Sequence, residues 1–259
     1  MFQGRVNTAY NQILLRVTDG IICDGTIGLT SNILSKRLTS TMETVSSIQL
    51  DFLFYKIFDN FGFPKNTSDS IRGLVTVTSL LQSESSVYVR DVCRRWISKI
   101  NQYIPQQLPS LVTGQNIENT YIRSFYHTHL QDALKQDAVT GWLLYASFYY
   151  VIGQYNVTLR ITDYVLSKCT PDKIYEAISL YNQKVIHDYS EHFQSKSIKL
   201  SDKIKLVTIS PVIYLQHSSL IPDELQLEIQ NGNISIPPVV LCHCLKLLSF
   251  YHIGDLCNK

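Results

Sequence analysis

The stretch TGWLLYASFYYVIGQYNVTLRITDYVLSK, Thr140 to Lys168, carries no charged side chain before Arg160, and its reading decides the fold. A bilayer span needs roughly 20 predominantly apolar residues in one unbroken helix. Here Gly153, Gln154, Asn156 and Thr158 interrupt the last third of the uncharged run. Two helices joined at a glycine turn explain it better than one long helix, because glycine supplies the backbone freedom that a tight reversal requires.

The residue types support this hairpin. Trp142, Tyr145, Ala146 and Tyr149 fall at the Trp, Leu, Gly and Tyr positions of the tetratricopeptide pattern W-x2-L-G-x2-Y, and Gly153 falls at the turn. A small Ala146 lets two helices approach closely, and Tyr155 is placed to pack back across the pair. The second helix offers Leu159, Thr162, Val165 and Leu166 to the inside and ends near Lys168, where a cation suits the dipole. Thr158 and Thr162 stand where the pattern expects Ala and Phe, so the repeat is degenerate.

Outward from the hairpin, most signals are helical. Ser40 and Glu43 make a capping box before Val45, Ile48, Phe52 and Tyr55, and Gly62 with Pro64 ends that run. A helix is expected from about Ser68 to Leu81, although its Val-Thr-rich centre also suits a strand. Residues 85–104 place Val89, Val92, Cys93, Trp96, Ile100 and Tyr103 on one helical face. PQQLPSLVTGQN then reads as a break, and a further helix is expected from Ile117 to Lys135. Beyond the hairpin, Thr170-Pro171 reads as a cap and first-turn proline, and Ser201 as the start of another helix. HSSLIPDELQLEIQNGNISIPP supplies a short acidic turn of helix and a loop.

The expectation is therefore an all-α chain, a helical bundle leading into a tetratricopeptide-like array. Its segments are an ill-defined 1–41, a bundle over 42–104, a linker over 105–116 and a helical region over 117–259.

Composition narrows the classes. An apolar share of 45% against 17% charged residues is that of a folded chain, and a net charge of +2 gives no strong overall field, so nucleic acid or anionic lipid would have to be held by a local patch. Six cysteines without a CxxC pair, and no basic, apolar leader, lead us to expect a cytoplasmic protein with reduced thiols.

YYVIGQYN, Tyr149–Asn156, returns as FYHIGDLC, Phe250–Cys257, with the same Ile-Gly pair. The second copy reads as another Ile-Gly turn that stops where its partner helix should begin, leaving an apolar face uncovered. That predicts an apolar patch around Leu247, Phe250 and Ile253 and a tendency to self-associate.

Three stretches carry a resemblance. GWLLYASFYYVIGQYNVTLRITDYVLSKCTPDKIY, HSSLIPDELQLEI and IPPVVLCHCLKLLSFYHIGDL resemble the C-terminal helical region of bivalve Mab-type proteins, relatives of cyclic GMP-AMP synthase-like receptors, from about Val139 to Leu256. The resemblance implies a nucleotidyltransferase core before this region and second-messenger chemistry in innate immunity. Such chemistry needs closely spaced carboxylates for divalent ions and a Gly-Ser or Gly-Gly turn for phosphates. No two of the twenty-one acidic residues stand two positions apart, and neither dipeptide occurs, so no catalytic residue transfers.

The remaining constellations read as structural. Cys242 and Cys244 around His243 have zinc-ligand chemistry, but on a helix residues two apart point about 200° away from each other. His127 and His129 fail the same test, and no cysteine–histidine pair is singled out as nucleophile and base. Arg90, Arg94, Arg95 and Lys99, with Trp96 and Tyr103 interleaved, and the lysines of KSIKLSDKIK, read as solvated helix faces before they read as a nucleic-acid site. The functional expectation is a non-catalytic scaffold without metal, cofactor or membrane span, docking a protein partner or a sister domain. The alternative is a ligand- or nucleic-acid-sensing fragment of the receptor family.

Overall fold

The computed structural model describes residues 66–109, 117–135, 138–170, 173–175 and 208–257. The expectations for segment 1–41, for the helix opened by the Ser40 capping box, and for most of the two helices placed after Thr170 and Ser201 lie outside the described residues. Every described residue belongs to the unit Pro64–Lys259.

Helix α1, Thr67–Ser83, resolves the helix-or-strand ambiguity of its Val-Thr centre through its N-terminus. Asn66 Oδ1 accepts the Asp69 N–H at 2.9 Å, and Asp69 lies in the first turn where a negative charge suits the dipole. Helix α2, Val87–Tyr103, is capped by Ser86 and packs on α1. It runs on into a 3-10 turn at Pro105–Gln107, then come α3, Ile117–Ala133, and the hairpin of α4, Thr140–Val151, and α5, Tyr155–Lys168. A single long helix, α6, Pro238–Cys257, packs mainly on α5 and also on α4.

Among the described residues the fold is mostly helical, with two small ladders that qualify the all-α expectation. Strands β1, Ile174–Tyr175, and β2, Thr208–Ile209, pair in parallel; β3, Val212–Tyr214, and β4, Ile234–Ile236, pair antiparallel with Ile213 opposite Ser235. The expected helix after Thr170-Pro171 is thus replaced at Ile174–Tyr175 by strand, and the one after Ser201 has given way to strand by Thr208. Ile174, Tyr175, Thr208 and Ile209 are β-branched or aromatic, and partner strands fix their state where local signals could not.

The turn at Gly153 is as expected. With φ +76° it takes a backbone conformation that side-chain-bearing residues avoid. Its N–H bonds Tyr150 O at 2.9 Å and the Gln154 N–H bonds Tyr149 O at 2.8 Å, a Schellman closure of α4. Gly254 behaves otherwise: α6 runs through it to Cys257, so FYHIGDLC is not a second turn.

Helix α4 is the centre of the core, buried at Thr140, Gly141, every residue from Leu143 to Phe148, and Tyr150. That burial explains the uncharged run. A Cβ at Gly141 would stand 2.6 Å from Ala133 O, so α3 and α4 meet there only because the residue is glycine. Buried polar bonds tie the strands to α4. Thr140 Oγ1 donates to Ser210 O at 2.8 Å, and the Ser147 and Tyr214 hydroxyls share a hydrogen bond.

Residues 105–107 do not behave as linker, since Pro105 and Gln106 are buried. Gln106 Nε2 donates to Gln102 O and Ile213 O, and its Oε1 accepts the Leu215 N–H at 2.9 Å, so one side chain stands in for a strand beside β3. Ser219 completes the joint: its N–H bonds Gln106 O, its hydroxyl bonds Pro105 O, and Tyr126 of α3 lies 2.7 Å from that hydroxyl.

Candidate interaction surface

Helix α6 is apolar on both sides. Leu241, Cys242, Leu245 and Ser249 are buried. The exposed positions are Val240, His243, Leu247, Phe250, Tyr251 and Gly254, none of them charged. Leu247 is 71% exposed, Tyr251 64%, Phe250 57% and Val240 50%, values that mark an apolar stripe along the helix. The sequence expectation named Leu247, Phe250 and Ile253; the first two are exposed, Ile253 is half-buried, and Val240 and Tyr251 were missed. Counting back seven residues, two helical turns, from Leu247 would have found Val240.

Two fixtures hold this stripe in place. Midway along, Lys246 Nζ lies 2.7 Å from Asp163 Oδ1 of α5, and Cys242 Sγ lies 3.8 Å from Thr162 O. Toward the C-terminal end, His252 Nε2 stands 2.9 Å from both Tyr150 Oη of α4 and Glu224 Oε1 of the 3-10 segment Asp223–Ile229. The Tyr150 hydroxyl donates to Glu224 Oε1 at 2.7 Å, and the Tyr155 ring stacks on His252 at 4.9 Å and 7°. Burial pushes the Glu224 carboxyl up, but hydrogen bonds from Tyr150, its own N–H and His252 outweigh it and hold the group below its usual value. Burial, reinforced by Glu224, raises the Tyr150 phenol.

The hairpin residues separate by face. Trp142 sets its ring edge against Tyr164 of α5 at 4.9 Å, and the fully buried Ala146 offers its carbonyl to Thr158 Oγ1 at 3.2 Å. Tyr145 and Tyr149 turn instead toward α3, where His127 Nδ1 lies 2.6 Å from Tyr145 Oη and both phenol rings lie near the imidazole. Tyr155 packs back on Tyr150 at 5.4 Å, as expected, and also on α6.

The basic stretch does not form one face. Arg90 and Arg94 are exposed, Arg94 bonds the buried Asp91 at 2.7 Å, Lys99 is half-buried, and Arg95 is buried. Arg95 is therefore no surface contact as placed, because α2 buries polar positions such as Asp91, Ser98 and Asn101 besides its apolar face.

Among the described residues no three His, Cys, Asp or Glu side chains gather as metal ligands. His129 Nδ1 is engaged by Asn101 Oδ1 at 2.5 Å and His127 by Tyr145, so the two imidazoles serve different contacts. Burial pushes the Cys242 thiol up to about 12 and the Cys93 thiol up to about 11, which makes both poor nucleophiles. Among the described residues no helix is long and apolar enough to cross a membrane. Compared with protein-family models, curated proteins and solved structures, the chain matches none of them.

Proposed function

We propose that this chain is a non-catalytic protein-interaction module that acts inside the cell and docks a protein partner or sister domain through the outward face of α6. In this reading its α4–α5 hairpin is tetratricopeptide-like, and the chain is related to the C-terminal region of Mab-type proteins. The supporting observation is the uncharged stripe from Val240 to Gly254, held by Lys246–Asp163 and by the His252, Tyr150 and Glu224 cluster. An apolar stripe on an anchored helix loses little conformational entropy on binding, which favours docking.

The test is a photo-reactive amino acid at Tyr251 of the full chain, expressed in cells. A protein adduct is expected that disappears when Leu247→Glu is added. No adduct above that from the same group at exposed Arg90 overturns the reading. Incubation with magnesium and nucleoside triphosphates should give no linked dinucleotide, and formation of one would show the chain to be an enzyme. The nucleic-acid-sensing alternative has exposed Arg90 and Arg94 in its favour. Salt-dependent binding to duplex RNA or DNA, weakened by Arg94→Glu, would select it.

A further inference from the structure

We infer that the occupant of this face is a second copy of the same chain, its α6 laid antiparallel along the first; the inference rests on the docking reading above. Three features of the stripe carry it, beginning with its period. Val240, His243, Leu247, Phe250 and Gly254 are spaced three, four, three and four residues apart, the a/d repeat of a coiled-coil seam, with exposed Tyr251 flanking it.

The second feature is self-complementarity. Reversing one helix turns three-then-four spacing into four-then-three, so the a positions of one copy face the d positions of the other. A two-fold axis between Leu248 and Ser249 then sets each Leu247 against the other copy's Phe250. It also sets each His243 against the other's Gly254, where the space a Cβ would take is open. Both matches occur twice, as an isologous contact requires.

The third feature is charge. Identical copies bring no like-charged carboxylate, lysine or arginine together along the seam, because none of its exposed residues is Asp, Glu, Lys or Arg. Beside the seam, the same axis brings each exposed Tyr251 next to the other copy's Lys246, whose charge is already balanced by Asp163 at 2.7 Å. The stripe is small. At the exposures of Val240, Leu247, Phe250 and Tyr251, roughly 400–500 Å² per copy is available, against about 800 Å² per partner in a stable complex. The contact is smaller than that of a stable complex, so the dimer is a weak, transient one.

Sedimentation equilibrium of the full chain from about 5 to 200 micromolar should show a monomer–dimer equilibrium. Leu247→Glu should weaken it at least about tenfold, while the far-UV circular dichroism and its melting stay unchanged. For register, His243→Cys with Gly254→Cys in one chain should give a covalent dimer on mild oxidation, and His243→Cys alone should not. A chain that stays monomeric throughout, a dimer indifferent to Leu247→Glu, or equal crosslinking by the single and double variants overturns the inference. A monomer whose Tyr251 probe captures a different protein, or another part of its own chain, overturns the second copy alone. A monomer with no adduct overturns the docking reading as well.

Discussion

Gln106 shows how one side chain settles a local structure. It is buried at the end of α2 and satisfies Leu215 N–H, Ile213 C=O and Gln102 C=O with a single carboxamide. Replacing it with Leu preserves much of the bulk and leaves a buried donor and acceptor beside β3 without partners. Gln106→Leu should therefore cost about 2–4 kcal/mol, read as a lowered urea midpoint with unchanged slope. Ala146 works by size: it is fully buried against α5, and Ala146→Leu should cost about 1–3 kcal/mol through overpacking. Unchanged melting of Ala146→Leu would place that site outside the tight contact. Ala146 was legible because small residues have a recognised place in helix hairpins. Gln106 was not, because it sits in a Pro-Gln-Gln-Leu-Pro stretch with every local mark of a loop, and two of its three partners lie more than a hundred residues away.

The same dipeptide at two elements shows what glycine does and does not decide. Ile152-Gly153 ends α4 with a positive φ, whereas Ile253-Gly254 lies within the continuous α6. Glycine permits a reversal; the Schellman bonds and the packing of α5 on α4 select it at Gly153. The substitution Gly153→Ala should thus destabilise by about 1–2 kcal/mol, because alanine resists that backbone region. Gly254→Ala should be neutral or stabilise by up to about 1 kcal/mol. Equal losses at both positions in thermal unfolding would contradict the distinction. The hairpin was readable from sequence because its turn, period and uncharged run agree. Strands β1 and β2 were not, because each is two residues long and held by a segment more than thirty residues distant. Where α6 meets the 3-10 segment, Glu224 adds a pH dependence. Its carboxyl is held below its ordinary value, so its contribution is present above about pH 4.5 and lost as pH falls further, through the folded-state value. The melting temperatures of wild type and Glu224→Gln should converge below that pH; a constant gap would show that the carboxylate form is not what the cluster stabilises.

At the scale of the whole molecule, the outward stripe of α6 was partly legible, since sequence alone named Leu247 and Phe250 and counting back seven from Leu247 adds Val240. What sequence could not show is which apolar face of an all-round apolar helix the core would use. Packing on α5 and α4 decides that by burying Leu241, Cys242 and Leu245. The buried polar seam of α2, with Arg95, Ser98 and Asn101 inside, was hidden for the opposite reason: charge and amide patterning read as solvent exposure. The α6 stripe and the exposed Arg90 and Arg94 of α2 predict opposite responses to salt. The net charge of +2 is small and the α6 stripe carries none, so association through it gains little from Coulomb attraction and is not screened away. Binding of nucleic acid through Arg90 and Arg94 would release counterions and weaken steeply as salt rises. Raising sodium chloride tenfold from about 50 mM should therefore change self-association by less than about threefold, and sulfate, which strengthens apolar burial, should tighten it. A dimer that dissociates in sodium chloride would place the contact on charged surface and away from Leu247 and Phe250.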